Sequence, residues 1–539
     1  MKKITLLLTA LIFACALANA QPAQYPTSTQ PTRVSTKWET DFNRNLQKNR
    51  VYNTYLGQDE NSYFLLTNIL ARDIIVIGIG VKYGVVKYDK RTLRPTGSTT
   101  LDNLGEIKEV YVVGNETYAR IQNPVQYFRR TKIYEFYKFN KNSMTFEAVT
   151  HLGAASETFS DVVVSPDNSK MLLVFREPAA RRESNDNYRL LLIDSQLQKI
   201  WEQSISVPTV SSFAAANDGT VYAAFKNSHS NKRNDTSYEY VILKLSGENE
   251  ERRFVVDMNN YLYHECQLIT NHNSNLFVVG FYTDRADEDK TGGYYFSLNE
   301  DFDTAENIAY QEIPLNILNA HYGKAKKVPY RYTYFEFGQP LYAQNGDVVI
   351  CSEENTRRTQ TTFTQETSAF EQMREQQTGR PARTTTTSST STRSHFLDIY
   401  VFRISNNELA WMKRVPKRQT AVDRDKVKNA PMLGDRLGYS ALLSGNDVVL
   451  LFSDNIKRNM GNNENTEKVA FAMGKDCALV SVILDQNGAQ RKQIVPVSGL
   501  TRDKLDPEIQ KAFVVSDNQI LVSARRKTKC KMGVITVTP

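Results

Sequence analysis

The chain has 539 residues, 40% apolar and 10% aromatic, with 67 Lys and Arg against 59 Asp and Glu for a formal net charge of +8. A chain of that length buries a sizeable core without cross-links. An excess so diluted, with no basic helix or stripe, excludes a dedicated nucleic-acid binder, and no segment beyond the N-terminus is long and apolar enough to span a bilayer.

Met1-Lys2-Lys3 is followed by an apolar run from Ile4 to Leu17 and then by Ala18-Asn19-Ala20. A basic start, a short apolar run and an Ala-x-Ala exit predict a cleaved secretory signal over residues 1–20. The expected destination is the periplasm, the cell surface or the medium, and loss of Lys2 and Lys3 takes the net charge from +8 to +6. Cys15, after Leu11-Ile12-Phe13-Ala14, offers a lipoprotein alternative, but the bulky Phe13 fits that processing poorly. Residues 21–36 read as a flexible segment and 37–539 as a single domain.

Along that domain two hairpin signals alternate, and internal repetition decides architecture. Asp73 to Gly80 is apolar nearly throughout and predicts a buried inner strand; its Gly78-Ile79-Gly80 is no nucleotide fingerprint, since no helix pattern follows. One signal is a strand, a tight polar turn and a strongly apolar strand. It runs from Val162 to Phe175 around Pro166-Asp167-Asn168, and from Phe213 to Phe225 around Asn217-Asp218-Gly219. It returns around Asn273-Ser274, Asn345-Gly346, Gly445-Asn446 and Asp517-Asn518. The other is a strand that ends in Asp, Asn or Ser before a short turn, as in Tyr88-Asp89, Phe139-Asn140, Ile193-Asp194, Leu245-Ser246, Leu298-Asn299, Ile404-Ser405 and Leu484-Asp485. Asn, Asp and Gly tolerate the positive φ that tight hairpins need.

The units fall at 61–101, 105–152, 159–208, 210–258, 264–314, 334–417, 438–497 and 510–539, the last lacking a fourth strand. The segment from Lys37 to Phe42 is expected to supply it. The predicted fold class is all-β, a β-propeller of seven or eight four-stranded blades closed by an N-terminal strand. Helix patterns are absent apart from a short one expected within 501–512. At Val164-Ser165-Pro166-Asp167-Asn168-Ser169-Lys170-Met171 and Ala216-Asn217-Asp218-Gly219 the chain resembles the turns of TolB-like and WD40-like propeller repeats, with Asn168 where that family prefers Gly. The resemblance implies a propeller of the bacterial envelope and carries no activity with it, because propellers host many.

No motif for catalysis, metal or cofactor stands out, so no catalytic residue and no cofactor is assigned. The six histidines are scattered without metal-ligand spacing, and no Gly-x-Ser-x-Gly elbow is present. Asp284 to Asp289 and Asp301/Asp303 lack the alternation and bend glycine of a calcium loop. Cys266, Cys351, Cys477 and Cys530 form no Cys-x-x-Cys pair, and buried single thiols are favoured slightly over one bridge.

Loop lengths give the functional expectation. The turns inside each hairpin are short, whereas the loops between second and third strands, and two between units, are long and polar. In a propeller these long loops share one face, and variable loops on a rigid scaffold carry function. Arg129, Arg130, Arg181, Arg182, Lys232, Arg233, Lys326, Lys327, Arg525 and Arg526 are the candidate binding residues of that face. The expected function is a binding or scaffold propeller whose partner is another envelope protein or an anionic glycan. The alternative is a carbohydrate-active or peptide-active enzyme with its site at the central channel. The Thr/Ser-rich insertion in the sixth unit, about 353–394, has almost no apolar content and is expected to be disordered.

Overall fold

The computed structural model describes residues 33–38, 50–69, 82–101, 104, 106–122, 134–151, 158–177, 184–228, 238–247, 250–257, 260–284, 290–317, 333–367, 384–424, 438–466, 469, 477–497, 506–509, 512–526 and 529–538. They form eight antiparallel blades arranged in a ring, an eight-bladed β-propeller. Blade 1 consists of Arg50–Gln58, Ser62–Ile69, Lys82–Asp89 and Pro95–Leu101, paired in chain order. Its first strand precedes the unit start expected at 61. The stretch 73–80, expected to be an inner strand, lies outside the described residues.

Blades 2 to 5 repeat this order. They begin at Glu106–Val113, Thr158–Val164, Val210–Ala215 and Tyr261–Thr270, and end at Thr145–His151, Lys199–Val207, Glu251–Val256 and Ala305–Glu312. Blade 7 runs from Ser440–Ser444 to Gln490–Ile494. Blade 8 has three C-terminal strands, Phe513–Ser516, Gln519–Arg526 and Lys529–Thr538, and takes its fourth from Arg33–Trp38. The closing strand therefore exists, a few residues earlier than expected, and residues 33–36 belong to it. Arg33 pairs with Thr538 and Trp38 with Gly533.

Eight apolar clusters hold the ring, each built from two consecutive blades. Leu172, Leu190 and Trp201 of blade 3, for example, pack on Phe213, Ala223 and Leu243 of blade 4. The cluster of Tyr63, Val86 and Tyr88 with Leu521, Met532 and Val534 joins blade 1 to blade 8 and completes the circle. One cluster per interface is what decides eight blades over seven. First strands of neighbouring blades contact one another, which places them around the axis. Pro95–Leu101, the fourth strand of blade 1, alternates between covered and exposed positions, as an outer strand does, and both Trp201 and Trp411 lie in fourth strands. The turn at Ser165–Lys170 is held by Ser165 Oγ, which donates to Asp167 at 2.7 Å and accepts from Lys170 N at 3.0 Å. Asn168 takes a positive φ (56°), a conformation that glycine adopts most readily.

Blade 6 departs from the pattern. Its first strand is broken into Thr333–Phe337 and Leu341–Tyr342. Its second and third strands, Val348–Thr367 and Thr384–Ser405, continue well past the ring. They stay paired from Val348↔Ile404 out to Thr367↔Thr384, and Gln419–Arg424 pairs with 391–396 as a third strand of the ribbon. Disorder was the compositional expectation for 353–394, and the paired parts differ from it. A ladder is held by backbone hydrogen bonds and needs no apolar content, and threonine is among the residues that favour strands. Around 501–512, where a short helix was expected, Asp506–Pro507 forms a short strand against Ala524 and Arg525, and Ile509 stands in a 3-10 turn whose carbonyl accepts from Ala512 N at 3.0 Å; 501–505 and 510–511 lie outside the described residues.

Candidate functional site on the long-loop face

In every blade the connections from second to third strand, and from one blade to the next, emerge on one face. On the opposite face the tight turns lock blades together: buried Arg403 binds Asp347 through Nε (2.8 Å) and Nη2 (2.5 Å), and reaches Asn446 O of blade 7 at 2.7 Å. The second and third strands of blade 6 leave the ring from the long-loop side as the ribbon.

Eight of the expected binding residues, Arg129, Arg130, Arg181, Arg182, Lys232, Arg233, Lys326 and Lys327, lie outside the described residues. Arg525 and Arg526 end the second strand of blade 8 on this face, paired with Cys530 and Lys529 across a tight hairpin. Arg525 and Arg526 are thus the two of the ten that fall among the described residues.

Other groups do converge there. The first strands of blades 1 to 5 each carry an irregularity in the half nearer this face, at Asn53, Lys108, Ser160, Ser211 and His264-Glu265. An extra residue in one strand re-aims the side chains beside it. Just past two of these bulges stand Glu109 of blade 2 and Asp161 of blade 3. Glu109 accepts from the Tyr111 hydroxyl and pairs with Arg120 Nη2 at 3.0 Å. Asp161 keeps solvent contact, yet the surrounding protein pushes its carboxyl above the usual range, and the charge of Glu109 adds to the rise. Burial and the bond to Glu109 raise the Tyr111 hydroxyl as well. One carboxylate fixed by an arginine beside another made more basic is a pattern suited to proton transfer. Nothing in the sequence marked it, because a bulge is set by strand pairing.

In blades 4 and 5 the face is aromatic. Tyr261 packs edge-on to Tyr282 and against Tyr310, both with ring centroids 4.7 Å away, and the Tyr263 and Tyr310 hydroxyls are 2.7 Å apart. Lys226 Nζ donates to His264 O at 2.9 Å and stands 5.1 Å over the Tyr238 ring. His264 Nε2 is 2.7 Å from Thr283 Oγ1, and burial pushes the imidazole down to about 4. Its folded pKa lies below the ordinary 6.5, so the unfolded chain takes the proton first. The stability this site contributes is present above pH 6.5 and is lost as pH falls toward 4, by about 3 kcal/mol for a shift of that size. Thermal unfolding of His264→Gln should therefore show a shallower decline between pH 6.5 and 4 than the parent chain; identical slopes would rule the assignment out.

At the root of the ribbon lies a buried polar network. Lys417 is fully buried and bonds Glu353, with Gln419 Oε1 accepting from the same ammonium at 3.1 Å. Gln419 also accepts from Gly438 N at 2.7 Å and donates to Ser453 O at 2.8 Å. Asp398, fully buried, accepts from Arg414 Nε and from Lys417 N. Arg414 Nη1 donates to Glu464 O and Thr466 O, both at 2.9 Å, and Lys492 binds Asp454. Burial pushes Lys417 down and Glu353 up, each opposed by the charge of the other. In the sequence, Lys413-Arg414-Val415-Pro416-Lys417-Arg418 reads as a solvated basic run, and the acids that neutralise it lie far along the chain.

Two adjoining hollows of about 360 and 200 Å³ open on the outer rim between blades 6 and 7, away from Glu109 and Asp161. Among the described residues, no three His, Cys, Asp or Glu side chains gather to hold a metal. Asp303, weighed as a calcium ligand, caps its own turn by accepting from Asn299 and Thr304. Among the described residues no disulfide joins Cys266, Cys351 or Cys477, and burial pushes Cys351 up to about 12. Among the described residues, no helix is long and apolar enough to cross a membrane.

No family model matches the chain, and no curated protein matches it. Solved propellers do. The chain is similar to the β-propeller domain of the Trilobed protease from Pyrococcus furiosus, at 9% identity and TM-score 0.36, covering 84% of this chain and 98% of that one. It is also similar to oligogalacturonate lyase from Vibrio parahaemolyticus, at 9% identity and TM-score 0.34, over 94% and 98%. With acylaminoacyl peptidase it shares 9% identity at TM-score 0.36, over 89% and 58%.

Proposed function

We propose that the chain is an exported propeller of the bacterial envelope that works by binding, with its long-loop face docking an anionic partner, a glycan or another envelope protein. The observation that carries this reading is the ribbon of blade 6, a strand-paired projection raised on the face where the long polar loops emerge. Arg525 and Arg526 support it by ending a strand on that face, and the remaining candidate cations follow in the loops by sequence. Exposed cations on a rigid frame steer anionic partners in a salt-dependent way. On heparin-agarose, reversal of Arg525/Arg526 and Arg181/Arg182 to glutamate should move elution to clearly lower salt. Unchanged elution would overturn the reading.

A second reading, a carbohydrate-active or peptide-active enzyme at the channel mouth, draws on Glu109, Asp161, Arg120 and Tyr111. Should turnover be found on an oligosaccharide or peptide panel, this reading requires Glu109→Gln and Asp161→Asn each to abolish it while leaving heparin retention intact.

A further inference from the structure

We propose that the two adjoining hollows between blades 6 and 7 form a binding site for a neutral glycan, with an N-acetylated hexose seated in the inner one. The loop 456–466 of blade 7 folds back against the outer strand of blade 6. There Arg414 Nη1 holds the carbonyls of Glu464 and Thr466, and Lys413 pairs with Glu464 at 3.0 Å. The turn 485–489 forms the other wall. Trp411 Nε1 pins it by donating to Gln486 O at 2.9 Å, and Asp485 closes it by accepting from Asn487 N and Ala489 N. Between these walls lie the outer hollow, of about 360 Å³, and the inner one, of about 200 Å³, with Asn463 and Gln490 lining both. Small-molecule sites span roughly 300–1,000 Å³, so the pair is of ligand size. Walls fixed in this way lose little freedom when a ligand enters.

The lining selects the ligand. Its cations are already neutralised, Lys413 by Glu464 and Lys492 by Asp454. An anionic ligand would compete with those carboxylates for the same cations, whereas a neutral one leaves both pairs intact. Side-chain amides make up much of the remaining polar surface, and an amide both donates and accepts, as neighbouring sugar hydroxyls do. Gln490 spends its nitrogen on Arg414 O at 2.7 Å and keeps its oxygen as an acceptor. The inner hollow is otherwise apolar, from Val415, Pro416, Met460 and Val482. Asn462 lines the same hollow, and among the described residues its Nδ2 is buried without a hydrogen-bond partner. A buried donor left unsatisfied is costly. A small turn about the soft terminal torsion of the asparagine would present it to an entering oxygen. An acetamido group answers both features, its carbonyl accepting from Asn462 and its methyl covering the apolar lining. A hydroxyl answers only the first.

Saturation-transfer NMR of the full chain with N,N′-diacetylchitobiose tests this. One acetyl methyl of the disaccharide should receive the strongest transfer, because it lies against the apolar lining. Cellobiose, which has the same linkage and no acetyl group, should bind roughly tenfold more weakly. Asn462→Leu, similar in volume, should lower the affinity for the acetylated sugar about three- to tenfold. Its melting temperature should stay level or rise, since the change removes an orphaned buried donor. A parent chain that shows no transfer, or that binds cellobiose equally well, would overturn the proposal. So would a folded Asn462→Leu protein of parental affinity. The site uses neither Arg525 nor Arg526, so Asn462→Leu should keep parental heparin retention, and a failure here is distinguishable from a failure of anion docking.

Discussion

Replacing Trp38 by alanine is expected to cost about 3–5 kcal/mol and to open the ring at its seam. Arg33–Trp38 alternates exposed and covered positions, the mark of a strand with one face on a core. Val34 and Trp38 join the apolar cluster between blades 7 and 8, and the Thr36 hydroxyl bonds Pro496 O. Trp38 is 8% exposed and lies flat on Gly533, where an added Cβ would stand 2.3 Å from its ring. Gly533→Ala should therefore reproduce much of the loss from the opposite strand, through overpacking. Ser35→Ala, at an exposed position of the same strand, should change little. The effect is large because a propeller needs every interface: without the seam, the Lys529–Thr538 strand becomes an unpaired edge and two blades lose a shared core. Thermal unfolding, with proteolysis after Arg33 and Lys37, reads both consequences. A Trp38→Ala protein as stable and as resistant as the parent would mean that closure lies elsewhere.

That seam also shows how far the sequence could be read. The need for a closing strand followed from counting three strands in the last unit, and the count came from turn chemistry: Asn or Gly takes the positive φ in the turns at Asn168, Gly219, Gly346, Gly445 and Gly488, although Leu93, Leu197 and Phe302 take it in others. Its position came out a few residues late because an alternating strand of six residues is a weak signal beside the apolar inner strands. Short turns on one face and long loops on the other were legible for the same reason the repeats were. What escaped is nonlocal. Glu109 and Asp161 belong to different blades and are brought near one another by bulges, which depend on the partner strand. Thr384 to Ser394 looks disordered by composition, and only its pairing with Arg357 to Thr367 makes it a strand. Lys417, fully buried at the root of the ribbon, owes its place to Glu353, a carboxylate sixty-four residues away along the chain, and no local pattern marks it.

Lys417→Met should be the most damaging single change outside the seam, at about 3–5 kcal/mol, because it leaves the carboxyl of Glu353 buried without its cation. The position is where the apolar ladder of blade 6 ends. Ile399, Val401 and Val415 belong to the cluster shared with blade 7. One step outward the core becomes polar at Glu353, Asp398, Lys417 and Gln419. These groups fix the corner at Pro416-Lys417-Arg418, after which the chain returns as Gln419–Arg424 alongside the ribbon. Lys417 holds both sides of that corner, its backbone N–H on Asp398 at 3.1 Å and its ammonium on Glu353. Two outcomes separate a charge effect from a packing effect. Pairing Lys417→Met with Glu353→Met removes both charges at similar volume and should recover most of the stability, as apolar replacement of buried ion pairs often does. If the network also sets the ribbon, trypsin should cut faster after Arg357, Arg358 and Arg393 in the single variant, and the double variant should remain faster than the parent despite its recovered stability. A Lys417→Met protein of parental stability would mean that the pair contributes nothing net. Equal cutting in all three proteins would mean that the ribbon stands on its backbone ladder alone.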